Sequence, residues 1–199
     1  RSTPSTGFTL TPLTPCAVTC VATGVATGTT RPSATATRTD AGYALTGEKI
    51  DFLGINYYSR GLTVDDPTAW PVRIRTIKNP TATYTETGWE VVPAAFTDLL
   101  VRVAREYGNP PVYITENGSA FYDPPVAEGG RIDDPLRTHY LREHLGAVHA
   151  AIEQGADIRG YFVWSLLDNL EWAHGYTKRF GIVHVNYGTQ QRTPKASAH

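Results

Sequence analysis

A carboxylate at the mouth of a sheet is the most chemically loaded position in this chain. Glu116 ends the run Pro111-Val112-Tyr113-Ile114-Thr115, in which Val112 to Thr115 favour extended backbone, and Asn117-Gly118 follows as a turn signal. Two other apolar runs end in residues of similar kind. Lys49 to Ile55 leads into Asn56-Tyr57-Tyr58-Ser59, and Tyr161-Phe162-Val163-Trp164-Ser165 leads into Leu166-Leu167-Asp168-Asn169-Leu170-Glu171-Trp172. One glutamate at a strand end is usually structural. Three strand ends that together offer Asn56, Tyr58, Glu116, Trp164, Glu171 and Trp172 read instead as a sugar site. Indole faces cover the apolar side of a pyranose ring, and carboxylates accept bonds from its hydroxyls.

The intervening segments explain how such ends would be brought together. Between Pro93 and Tyr107, Phe96, Leu99, Leu100 and Val103 recur at helical spacing, with Gly108-Asn109-Pro110 as a stop. A second helix is expected from Pro135 to Gln154, capped by Asp133 or Asp134, with Leu141, Leu145, Val148 and Ile152 as its apolar stripe and Gly155 at its end. The order is strand, helix, strand, helix, strand, with connections long enough for parallel crossovers. In parallel α/β folds the chemistry gathers at the C-terminal ends of the strands, where the six residues above fall.

From about Ile50 to Ala198 the chain resembles the C-terminal part of the family 1 glycoside hydrolases, the β-glucosidase family. The matching motifs are Asp51-Phe52-Leu53-Gly54-Ile55-Asn56-Tyr57-Tyr58, Gly88-Trp89-Glu90-Val91-Val92-Pro93, Tyr113-Ile114-Thr115-Glu116-Asn117-Gly118, the run Gly160 to Trp172, Tyr176 to Val183, and Arg192-Thr193-Pro194-Lys195-Ala196-Ser197. The resemblance implies an α/β fold, the last three strand–helix units of a (β/α)8 barrel. It implies that Glu116 is the nucleophile, Tyr58 the phenol that orients it, and Asn56, Trp164, Glu171, Trp172 and Phe180 the sugar contacts. Relatives specialised for 6-phosphorylated sugars usually carry serine at the position of Glu171. A carboxylate there would repel a phosphate, so the implied substrate is an unphosphorylated β-glucoside or related β-glycoside, with no cofactor and no metal.

Retaining hydrolysis needs two carboxyls, about 5–5.5 Å apart, one attacking the anomeric carbon and one protonating the leaving oxygen. The family places the second in an Asn-Glu-Pro motif on an earlier strand, and these 199 residues contain no Asn-Glu pair. A full barrel takes about 250 residues, of which this chain shows the pattern for three strands. The isolated chain is therefore expected to lack the acid/base half of the machinery. The alternative to a β-glycosidase is a truncated, non-catalytic remnant with at most weak sugar binding through Trp164, Glu171 and Trp172.

Residues 1–45 differ from the barrel-like segment 46–199. They are dominated by Thr, Ala, Pro, Ser and Gly and hold few large apolar residues, too few to offset the entropy of ordering. The segment reads either as a disordered linker or as an out-of-frame stretch, and the abrupt onset of the family pattern near Glu48 favours the second. Cys16 and Cys20, its only cysteines, lack further ligands for a zinc site, and no disulfide is assigned. With 18 basic and 19 acidic residues, the charge implies neither nucleic acid nor an anionic membrane as a partner. No apolar run reaches spanning length and no signal-peptide pattern is present, which gives a cytoplasmic expectation. His139, His144 and His149 are spaced by five, wrong for a metal pair on one helix face, and Arg73, Arg75 and Lys78 read as solvated surface. Asn117-Gly118-Ser119 spells a glycosylation acceptor whose modification would obstruct the site.

Overall fold

The computed structural model describes residues 50–123 and 130–199; residues 1–45 lie outside that range. Its centre is a three-stranded parallel sheet built from β1 (Leu53–Asn56), β4 (Val112–Asn117) and β5 (Ile158–Val163), in the order β1-β4-β5. The helices α1 (Pro93–Glu106) and α2 (Pro135–Glu153) lie in the connections between them. This is part of a parallel α/β barrel, and the described strands do not close it. Two antiparallel hairpins that the sequence pattern did not announce complete the structure. One pairs β2 (Leu62–Asp65) with β3 (Ile74–Ile77), the other β6 (Val183–Val185) with β7 (Arg192–Pro194).

The core forms where α1 and α2 pack on one face of the sheet. Ile55, Val112 and Ile114 from the strands meet Phe96, Leu100 and Val103 of α1 and Ala147, Val148 and Ala151 of α2. Tyr57 stacks on Phe96 with ring centroids 4.2 Å apart. The expected α1 stripe is the one found, with Leu99 partly buried against the same cluster.

The α2 stripe needs correction. Leu141 and Val148 are buried, but Leu145 and Ile152 are about half exposed. The buried face runs through Arg137, Tyr140, His144, Ala147 and Ala151 instead. At about 100° per residue, that face is rotated by roughly 90° from the leucine line. Small alanines let α2 sit close to α1, while Arg137 and His144 fill polar niches that an apolar count cannot see. Asp134 does occupy the N-cap position of α2, yet its side chain makes no capping bond. Its carboxylate goes to Arg137 at 2.5 Å and to the Ser197 hydroxyl at 2.5 Å. Among the described residues no helix is long and apolar enough to cross a membrane.

Candidate active site

The C-terminal ends of β1, β4 and β5 converge because their backbones are tied there. Asn56 and Glu116 are register partners across a bulge in the β1–β4 pairing. The Tyr57 N–H donates to the Glu116 carbonyl at 2.9 Å, and the Trp164 N–H donates to the Asn117 carbonyl at 2.9 Å. Gly118 matters for a different reason than a tight turn. A Cβ on it would lie 1.8 Å from the carbonyl oxygen of Trp164, so only glycine lets the ends of β4 and β5 approach this closely.

Asn117 is the brace beneath. Its side-chain amide donates to the Tyr57 carbonyl at 2.7 Å and to the Tyr140 hydroxyl at 3.1 Å, while its oxygen accepts from the Tyr161 hydroxyl at 2.5 Å. Tyr140 in turn donates to the Tyr58 carbonyl at 3.2 Å. One buried amide thus links all three strand ends to α2. Being fully buried and bonded, Asn117 is inaccessible to glycosylation in the folded chain.

Glu116 stands on this frame. The Tyr58 hydroxyl donates to Glu116 Oε2 at 2.7 Å. Burial, that bond and the charges of Glu116 and Glu171 push the Tyr58 phenol far above its ordinary range, so it stays a proton donor throughout the accessible pH range. Asn56 is fixed beside it by the Thr115 hydroxyl, which donates to Asn56 Oδ1 at 2.6 Å. Phe180 is buried with its ring 6.2 Å from Tyr58.

Trp164 enters the frame through its backbone. Glu171 is close enough for its charge to reach Tyr58, and it is held in a tight turn, donating its N–H to the Gly175 carbonyl at 2.7 Å. Trp172, next in that turn, adopts a left-handed φ of 38° and leaves its indole 88% exposed. The structure therefore brings Asn56, Tyr58, Glu116 and Phe180 together, with Glu171 at the margin and Trp172 facing outward.

Trp89 was not foreseen as a site residue. Its ring lies 5.0 Å from Tyr58 and 5.9 Å from Phe180, completing an aromatic wall beside Glu116. The only signal was its place in the motif Gly88-Trp89-Glu90. The next residue anchors the wall: Glu90 accepts a two-pronged bond from Arg60 at 2.9 Å for each prong. That guanidinium outweighs burial and holds the Glu90 carboxyl below its ordinary range. Other sequence expectations hold as surface features. Arg73 and Arg75 pair with Asp65 and Asp66 on the exposed hairpin, and Lys78 lies over the Tyr84 ring at 5.4 Å.

Residues 22–199 match the model of glycosyl hydrolase family 1, and the chain belongs to that family. β-Glucosidase A of Thermotoga maritima is 51% identical over 152 residues, covering 76% of this chain and 33% of that protein. The 1,4-β-D-glucan glucohydrolase of Thermotoga neapolitana is 49% identical over 152 residues, covering 76% and 34%. The solved family 1 β-glucosidase from Thermotoga maritima superposes with a TM-score of 0.74 at 50% identity, covering 78% of this chain and 34% of that one. The same enzyme solved with deoxynojirimycin gives a TM-score of 0.74 at 49% identity, with the same coverage. This chain spans about a third of the length of the relatives it matches.

Proposed function

We propose that this chain carries the nucleophile side of a retaining β-glycosidase that acts on unphosphorylated β-glucosides. The observation that supports this most directly is the 2.7 Å bond from Tyr58 to Glu116 at a strand end of a family 1 chain. The phenol donates to Oε2 and leaves Oε1 to attack the anomeric carbon. A bond forms between that oxygen and the sugar, and the bond to the aglycone oxygen breaks. Retaining hydrolysis is completed when water attacks the same carbon, gives its proton to a second carboxyl acting as base, and releases the Glu116 carboxylate. Asn56, Trp164, Glu171, Trp172 and Phe180 are the proposed sugar contacts. With glutamate at position 171, a 6-phosphate is disfavoured.

The first step needs a proton for the departing oxygen unless that oxygen leaves as a stable anion. No Asn-Glu pair occurs in the 199 residues. The chain alone should therefore react with activated glucosides and leave alkyl glucosides intact. The expected result with 2,4-dinitrophenyl 2-deoxy-2-fluoro-β-glucoside is release of one dinitrophenolate per chain, with no turnover. The second reading is a chain that binds sugar without reacting with it. No release from a chain with a native circular-dichroism spectrum would decide for that reading.

A further inference from the structure

A set of buried charges lies behind the site. Lys195 is fully buried, and its ammonium donates to Asp123 and, at 3.0 Å, to Asp168. Arg137, equally buried, donates to Asp123 at 2.9 Å and to Asp134 at 2.5 Å, while Arg179 donates to Asp168 at 2.6 Å. Acceptor atoms of Asp123, Asp168 and His184 converge within 4.8 Å of one another, the outline of a metal site. The Lys195 ammonium already bonds both of those carboxylates, so the cluster supplies its own cation.

Removing charges from water costs about as much as their pairing returns, so such a cluster is a poor source of net stability. What it supplies is geometry, and its outgoing bonds run to the walls of the site. Asp168 accepts the Gly181 N–H at 3.0 Å, and Arg137 donates to the Arg179 carbonyl at 2.8 Å. These two residues flank Phe180, which is thereby pinned from both sides. A Cβ on Gly181 would lie 2.2 Å from the Asp168 nitrogen, so the fit there is close. The Phe180 carbonyl accepts the N–H of Ser165, the residue after Trp164, at 3.2 Å. Arg137 also donates to the Ser119 carbonyl at 3.3 Å, just past the nucleophile strand.

We infer that Lys195 is a positioning residue for the sugar site: through Asp168 and Asp123 it sets Phe180 and the Trp164–Ser165 link relative to Glu116. This rests on the glycosidase reading for its functional meaning, but its geometric content can be read without any sugar. Two variants serve the test. Lys195→Met leaves three buried carboxylates against the two guanidiniums of Arg137 and Arg179, whereas Lys195→Met combined with Asp123→Asn keeps the charges balanced, so the second guards against simple unfolding.

Fluorine NMR of chain labelled with 5-fluorotryptophan resolves the four tryptophans, assigned by single Trp→Phe changes. Both variants should move the Trp89 and Trp164 resonances and leave that of Trp70, exposed on the loop between β2 and β3, in place. In the labelling reaction the half-saturating concentration of the 2-fluoroglucoside should rise about tenfold, equivalent to ~1.4 kcal/mol. The maximal labelling rate should change far less, because the Tyr58–Glu116 pair is untouched. A folded double variant with every resonance and the half-saturation unchanged overturns the inference. So does loss of the whole fold in both variants, which would reduce Lys195 to a stabilising residue. If the unaltered chain takes no label at all, the glycosidase reading fails, and the fluorine spectra still decide the positioning role.

Discussion

Glu116 owes its orientation to two neighbours, one that touches its carboxylate and one that lets its strand fit. Replacing Tyr58 by Phe removes the donor at 2.7 Å and keeps the ring between Trp89 and Phe180. A hydrogen bond to a charged group contributes about 1.5–3 kcal/mol, so labelling by the activated 2-fluoroglucoside should slow by about 10- to 100-fold with little change in melting temperature. An unchanged rate would show that the phenol does not orient the Glu116 carboxylate. Gly118→Ala acts on the fit. With its Cβ 1.8 Å from a carbonyl oxygen, the backbone must shift, and such overpacking costs about 1–3 kcal/mol or more, measurable by urea unfolding. Glu116, Asn56 and Tyr58 were legible in sequence because each ends a run of extended-favouring residues. Trp89 was not, because nothing in its surroundings has a period; only the folded contact with Tyr58 and Phe180 gives it a role.

At the scale of elements, α2 shows both what patterning reveals and what it hides. Its existence and limits follow from Pro135, the apolar periodicity and Gly155, while its orientation follows from polar side chains. His144 stacks on Tyr140 with centroids 3.8 Å apart, and its Nδ1–H donates to the Tyr140 carbonyl at 2.8 Å. Its Nε2 is buried with no partner among the described residues. Burial outweighs that bond and lowers its pKa from 6.5 to about 4. The unfolded chain therefore takes up this proton first as pH falls. Stability should be level with respect to this group above pH 6.5 and decline from there to about pH 4, by on the order of 3 kcal/mol in total. Urea titrations across that window should show the slope in the parent chain and lose it in His144→Leu; an identical slope in both would reject the assignment. Glu90 and Asp168 contribute a separate acid limb. Arg60 holds the Glu90 carboxyl below its ordinary range. For Asp168, burial alone would raise the pKa, and Lys195 and Arg179 more than offset it. Their contribution is full above the ordinary carboxylate range and is lost as pH falls through the lowered folded values. The two hairpins escaped the sequence reading because their strands are three or four residues long, and the first is held by cross-strand ion pairs on an exposed surface.

For the whole molecule, the three-stranded sheet has β1 and β5 as outer strands, neither paired further among the described residues. Leu166, Leu170, Phe162 and Trp172 are exposed near the β5 end. Unpaired edges with adjoining apolar surface favour association. The 199-residue chain on its own should therefore show a weight-average mass that rises with concentration in sedimentation experiments, and a constant monomer mass would contradict this. A parallel α/β architecture was readable from the alternation of extended and helical runs, whereas the barrel came from the family resemblance. The precise packing of the strand ends was not, because it depends on Asn117, Tyr140 and Tyr161 meeting from three distant parts of the chain.

The proposed role of Glu116 is to face a bound pyranose and attack its anomeric carbon. Peptide mapping by tandem mass spectrometry after exposure to the activated 2-fluoro-β-glucoside tests it most directly. One glycosyl adduct per chain is expected, on Glu116 and absent from Glu116→Gln. An adduct on any other residue, or none on a folded chain, would contradict it.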